Sequence, residues 1–446
     1  MKYLLSTLLL IAFITDINSQ KSSLNEKITK SATGGIESFR EVYIDLHQNP
    51  ELSLMEVKTA GKMAEQLKKL GFEVTAGVGG NGVVGIFRNG DGKVIMLRTD
   101  MDALPVKENT GLPYASNVVM KDAKGNENPV MHACGHDLHM TTWLGTLRTL
   151  TELKSYWKGT LIAVGQPAEE GTIGAQTMLD DNLFGRFPVP DLALAYHVSP
   201  ELPSGTIGYY PGPIFAGVQT AEITVYGSGG HGATPHKTID PVVLSAKMIL
   251  DIQTIVSRKI NPTKPAVVTV GSIHGGTRAN IIPDEVKMLL TIRFFEMEVY
   301  KTIRESLINI ARGAAISAGL PEEKMPLIVF DEPLDLPVSN DPQLVMEAVK
   351  SMKDILGETN VIQVDPAMVA EDFGKYGLTD EKIPIGLFWL GGVNTESYKE
   401  YEKKLKKLPP LHNSSFAPDF DPTFRTGVTA MSRTIIDLFG NKRLLK

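Results

Sequence analysis

Apolar runs alternate with amphipathic stretches along most of this chain, the pattern of strands connected by helices. Lys93-Val94-Ile95-Met96-Leu97-Arg98-Thr99 is a compact apolar run that predicts a buried strand. Gly159 to Gly165 predicts a second, and Asp191 to Tyr196 a third that ends at His197. A helix is expected from about Leu138 to Leu153. Strands alternating with helices favour an α/β fold with a mostly parallel central sheet. Polar groups follow the C-terminal end of each strand. They are Asp100-Met101-Asp102-Ala103-Leu104-Pro105, then Gln166-Pro167-Ala168-Glu169-Glu170-Gly171, then His197. Open α/β sheets assemble their sites at that edge.

Further along the rhythm changes. Ala221–Tyr226, Pro241–Ser257, Ala266–Gly271, Val286–Phe295 and Tyr300–Ala318 alternate strand and helix in the order of a ferredoxin-like α+β layer. A separate unit is therefore expected at 216–329, between 20–215 and 330–446.

Composition changes this picture little. The 446 residues are 42% hydrophobic and 22% charged, ordinary for a globular protein and too long for a typical single core. With 45 basic and 51 acidic side chains the net charge is −6, and no basic stripe or aromatic–basic interleaving points to nucleic acid. The lysine-rich segment Lys399 to Lys407 reads as a solvated helix face. At the N-terminus, Lys2 precedes an apolar run from Tyr3 to Thr15, then small and polar residues. This predicts a signal peptide at 1–19, cut after Ser19, and an exported protein without stable membrane insertion.

Met131-His132-Ala133-Cys134-Gly135-His136-Asp137 packs a thiol, two imidazoles and a carboxylate together. Cys134 is the only cysteine, so it has no partner for an intramolecular disulfide. It reads as a metal ligand, as an activated nucleophile with His136 or His132 as base, or as a buried apolar thiol. A following helix N-terminus would favour the thiolate. Cys134, His136, Glu170 and His197 together suit a divalent metal, zinc first, with manganese or cobalt as alternatives. Glu169 beside Glu170 suggests divided labour: one carboxylate on the metal, the other taking a proton from metal-bound water.

The motifs resemble the hippurate hydrolase and auxin-conjugate (indole-acetyl-amino acid) amidohydrolase branch of the metallopeptidases related to aminoacylase and glutamate carboxypeptidase. Besides those quoted, they are Leu46-His47-Gln48-Asn49-Pro50-Glu51-Leu52-Ser53, Gly230-His231-Gly232-Ala233-Thr234-Pro235-His236, Asn280-Ile281-Ile282-Pro283, Glu371-Asp372-Phe373 and Leu411-His412. The resemblance implies a zinc-peptidase-like catalytic domain, divided into 20–215 and 330–446 by the unit at 216–329, which is inserted as lid and homodimer contact. It implies two divalent metal ions held by Cys134, His136, Glu170, His197 and His412. Glu169 falls at the general acid/base position and Asp102 at that of a carboxylate orienting a ligand. His231 falls where relatives stabilise the oxyanion, and Arg278 and Asn280 where they contact substrate. Asp100 stands where other branches carry a metal-binding histidine. After His412 the chain departs from the pattern, with Asn413-Ser414-Ser415-Phe416 where a proline is usual.

The implied reaction is hydrolysis of the amide bond of an N-acyl amino acid or related conjugate. A metallo-exopeptidase acting on short peptides is the alternative, and a non-catalytic metal-containing binding protein is an alternative of another class. His132 and His139 are open between supporting the ligands and packing, His47 is expected to be structural, and His274 to lie in an exposed glycine-rich turn. The segment 118–129 reads as a polar hairpin or loop at the border of the cleft, where it would influence acyl-group choice.

Overall fold

Strands Val94–Asp100, Gly159–Gln166 and Ile385–Val393 are buried along nearly their whole length, the burial expected of strands covered on both faces. They belong to an eight-stranded sheet whose order is Glu73–Val78, Gly82–Asn89, Gly159–Gln166, Val94–Asp100, Leu192–Pro203, Ile385–Val393, Ile207–Tyr209 and Val361–Gln363. The four central strands run parallel to one another, flanked on each side by an antiparallel pairing, and the edge pair Ile207–Tyr209 with Val361–Gln363 is again parallel. The computed structural model describes residues 22–441, so the expected signal peptide lies outside the described residues.

The chain divides into two units. The first contains residues 22–212, 339–365 and 372–441 of the described chain; the second contains Pro213–Val338 and Pro366–Glu371. The second unit thus extends past 216–329 at both ends and includes a short return segment. In the first unit, helix His136–Glu152 is buried on almost every side and packs against the C-terminal helix Phe420–Gly440. Val57–Lys69 is amphipathic, with Met63 and Leu67 inward and Lys68 and Lys69 in its exposed last turn.

The second unit has its own core, centred on Ile223, Met288, Ile292 and Ile303. Its four-stranded sheet is antiparallel, ordered Ala266–His274, Glu285–Phe294, Gly217–Tyr226, Leu327–Phe330. Glu285–Phe294 alternates exposed and buried positions, as a strand covered on one face should. Helices Pro241–Thr254 and Met297–Ser317 complete a β-α-β-β-α-β sequence with ferredoxin-like strand order.

Three local expectations are corrected. His197 lies within a strand rather than after one, because Leu192–Pro203 continues to pair with Ile385–Val393. The lysine-rich segment is only half helical: Thr395–Glu402 forms a helix and Lys403 to Lys407 continue as turn and coil. His274 is exposed, but it ends the strand Ala266–His274. Among the described residues no helix is long and apolar enough to cross a membrane.

Candidate metal centre

Cys134 and His136 reach the sheet edge through a turn that only glycine suits. Gly135 has φ +80°, and a Cβ there would stand 2.6 Å from Val198 Cγ1. The helix therefore starts directly at His136, two residues earlier than expected. Glu169 and Glu170 leave the end of Gly159–Gln166 on a second tight turn, where Ala168 adopts φ +50°. Asp102 organises this turn: its carboxylate accepts the backbone N–H groups of Glu169 and Glu170 at 3.1 and 3.0 Å, and the Ser53 hydroxyl at 2.6 Å.

These turns bring three of the expected ligands, joined by His197 from the strand Leu192–Pro203 and His412 from the C-terminal loop, into two triads. Within each triad the ligand atoms of Cys134, His136 and His197, or of Cys134, Glu170 and His412, lie within 4.8 Å of one another. Cys134 is common to both. His412, the half-exposed member, holds φ +62° and places Nε2 3.2 Å from Glu170 Oε2. Glu169 joins Glu170 against His136, each with a carboxylate oxygen 3.8 Å from Nε2.

Proton positions on the two buried imidazoles follow from their neighbours. His136 Nδ1 is 2.9 Å from the Asp102 carbonyl and His197 Nδ1 is 2.9 Å from the Val198 carbonyl. A carbonyl only accepts, so both rings donate through Nδ1 and turn Nε2 toward the cluster. His197 Nε2 is 3.4 Å from Cys134 Sγ, whereas His136 Nε2 and Glu170 Oε1 are buried without a hydrogen-bond partner. Burial lowers the affinity of His136 for a proton, but Asp100, Asp102 and Glu170 outweigh it and hold the ring up at about 10. Burial, then the charges of Glu170 and Glu169, push the Cys134 thiol well above its ordinary range. The expected helix-terminus effect is thus overruled by burial and then by the nearby carboxylates, and the surroundings oppose an isolated thiolate nucleophile. Unsatisfied donor atoms in a negative field fit divalent cations, which would replace the missing partners.

The other histidines separate clearly. His139 donates from Nδ1 to Asp100 at 2.8 Å and accepts the Val198 N–H on Nε2 at 2.8 Å, so both nitrogens are committed. Asp100 is likewise held by Arg98 at 2.8 Å. The Asp100–His136–His139 grouping is therefore accounted for as a supporting network. His47 lies between Asp137 (2.7 Å) and Glu108 (3.0 Å), a buried structural clamp below the helix start. His132 is buried with neither ring nitrogen hydrogen-bonded.

Three expected residues belong to the second unit. His231 pairs with Ile281 in a short ribbon, and Gly232 donates to the Asn280 carbonyl at 2.9 Å. The Arg278 carbonyl accepts the Ile281 N–H at 3.2 Å. Thus one ribbon carries His231, Asn280 and Arg278, all exposed. Segment 118–129 contains an antiparallel hairpin, Val119–Lys121 with Glu127–Pro129. Val118, Met120 and Val130 pack with Leu52, Met55 and Ala103, beside Ser53 and Asp102. Sequence reasoning missed Glu56, which is fully buried and accepts the Ala168 N–H at 2.8 Å. Its only sequence marker is proximity to the Leu46-to-Ser53 motif.

Thiol, imidazole and carboxylate groups gathered at the C-terminal edge of a mostly parallel sheet define a metallohydrolase-like α/β protein. The profile of peptidase family M20/M25/M40 matches residues 96–410, and the chain belongs to that family of hydrolases. It is 36% identical to thermostable carboxypeptidase 2 of Saccharolobus solfataricus over 407 residues, covering 89% of this chain and 94% of that one. It is 36% identical to N-acetyldiaminopimelate deacetylase of Lactococcus lactis subsp. cremoris over 391 residues, covering 85% and 93%. Among solved structures it is similar to the YXEP protein of Bacillus subtilis, described as a dinuclear metal-binding peptidase. That match has a TM-score of 0.72, 27% identity and coverage of 91% and 99%.

Proposed function

We propose that this protein hydrolyses the amide bond of N-acyl amino acids or related conjugates, in the manner of the hippurate and auxin-conjugate hydrolases it resembles. Two divalent cations would be held by Cys134, His136, Glu170, His197 and His412. The observation that carries this reading is His136 Nε2 and Glu170 Oε1, buried and unsatisfied beside Cys134 and Glu169. Zinc best suits a thiolate with imidazoles, with manganese or cobalt as alternatives. When bound, the cations supply Lewis acidity toward water and the scissile carbonyl. Glu169 takes the proton of the attacking water and returns it to the leaving nitrogen. Asp102 fixes the direction of Glu169 and Glu170 through their backbone N–H groups. His231 steadies the oxyanion, and Arg278 and Asn280 receive the substrate carboxylate.

The names of the relatives support both this reading and its alternative, an exopeptidase acting on short peptides. Export after removal of residues 1–19 and a homodimer formed through the second unit belong to the same proposal. The N-terminal apolar run supports export, and exposed Val243 and Leu250 on a helix of that unit support the dimer.

The test is Glu169→Ala, assayed on N-acetyl, N-benzoyl and indole-acetyl amino acids beside dipeptides. Loss of a general base should reduce kcat by about 10²–10⁴-fold while metal content stays near wild type. Activity retained above about a tenth of wild type would remove Glu169 from the base role. The substrate panel distinguishes amidohydrolase from dipeptidase.

A further inference from the structure

We propose that Glu56 is a positioning residue for catalysis, the buried anchor that holds the Glu169–Glu170 turn in its working conformation. The role in catalysis rests on the amide-hydrolase reading above, but the anchoring stands on geometry alone. Ala168 sits at φ +50°, a region that L-residues other than Asn and Asp seldom enter. Such a residue persists only where its surroundings over-determine it. Here three consecutive N–H groups are fixed by two buried carboxylates: Ala168 by Glu56 at 2.8 Å, Glu169 and Glu170 by Asp102 at 3.1 and 3.0 Å.

The same Glu56 oxygen, Oε1, accepts the Leu54 N–H at 2.9 Å, and Leu54 is also left-handed, at φ +65°. Leu54 follows Ser53, whose hydroxyl donates to Asp102 at 2.6 Å. The contacts therefore close into a ring running from Glu56 through Ala168 and Glu169 to Asp102, then back through Ser53 and Leu54. Asn81 secures the other oxygen: its Nδ2 donates to Oε2 at 3.1 Å and to the Leu54 carbonyl at 3.0 Å. Glu56 is 0% exposed, so truncation leaves the Ala168 and Leu54 N–H groups facing a buried cavity without their carboxylate. Removing it frees Ala168 to return to an ordinary φ, which swings the two catalytic carboxylates off their alignment.

The experiment compares Glu56→Ala, Glu56→Gln and the double variant Glu56→Ala/Ala168→Gly. Kinetics, zinc affinity and hydrogen exchange of the amides at 168–170 are measured for each. Glu56→Ala should lower kcat or zinc affinity about 10–100-fold, the usual effect of losing a group that orients a ligand. Gln keeps an acceptor for the Leu54 and Ala168 N–H groups, loses only the Asn81 contact on the other side, and should retain most of the activity. Glycine adopts positive φ without penalty, so Ala168→Gly should restore part of what Glu56→Ala loses. A structural role elsewhere predicts no such rescue. Should Glu56→Ala not fold, Glu56→Asp, one methylene too short to reach Ala168, takes its place. Hydrogen exchange reads the turn without substrate, so it decides the anchoring even if the amide-hydrolase reading fails. Unchanged exchange at 168–170 in a folded Glu56→Ala protein overturns the proposal. Damage in Glu56→Gln equal to that in Glu56→Ala, or absence of rescue by Ala168→Gly, does the same.

Discussion

Replacing His47 by leucine should destabilise the first unit by an amount that shrinks as pH rises. Burial works against charging His47, but hydrogen bonds to Asp137 and then Glu108 hold it up at about 10, against 6.5 for an ordinary histidine. Both carboxylates are correspondingly held below their usual range by His47, against the opposing effect of burial. A group whose affinity for its proton rises on folding contributes fully below its unfolded pKa and loses that contribution as pH passes its folded one. The gap corresponds to a ceiling of about 5 kcal/mol, present near pH 6.5 and lost by about pH 10. Breaking a buried ion pair by removing one partner typically costs about 3–5 kcal/mol, the same order. Tryptophan fluorescence isolates the relevant transition, because Trp143, Trp157 and Trp389 are the three tryptophans of the chain and all lie in the first unit. Denaturant unfolding of wild type and His47→Leu from pH 6.5 to 10 should give converging midpoints. A difference that stays constant, or widens with pH, refutes a protonated clamp.

Two further outcomes follow from the geometry of the cluster. Gly135→Ala introduces a Cβ 2.6 Å from Val198 Cγ1 at φ +80°, a backbone conformation that alone costs about 1–3 kcal/mol. Its thermal midpoint and metal content should both fall, and a variant matching wild type in both would show that the turn tolerates a side chain. Shortening the Val119–Lys121/Glu127–Pro129 hairpin should alter the preference between N-acetyl and N-benzoyl substrates by about tenfold. An unchanged ratio of kcat/KM values would place the hairpin outside the acyl pocket.

The sheet was readable because burial on both faces demands uninterrupted apolar runs, and those of Val94–Asp100 and Gly159–Gln166 stand out against their flanks. The far half of Leu192–Pro203 was not, because Ser199 and Pro203 are strand residues only by virtue of pairing with Gly391 and Val393. Lys403 to Lys407 misled for the opposite reason: a solvated helix and a solvated coil share one composition. At the site, residue types announced the donor groups, but not the field around them. Nothing local to Cys134 indicates that burial, and then the charges of Glu170 and Glu169, raise its thiol. Glu56 escaped notice because its importance lies in the backbone angle of Ala168, 112 residues away, which no side chain records.

The sheet edge has a consequence for how such a protein can change. Cys134, Glu170, His197 and His412 arrive there on separate stretches of chain, and each is seated by contacts beneath it. The hairpin after Ser116 and the lysine-rich segment before Pro409 lie in the connections between these stretches, outside the central strands. Floor and walls can therefore diverge at different rates: new acyl groups can be admitted by remodelling connections, with the chemistry underneath left untouched.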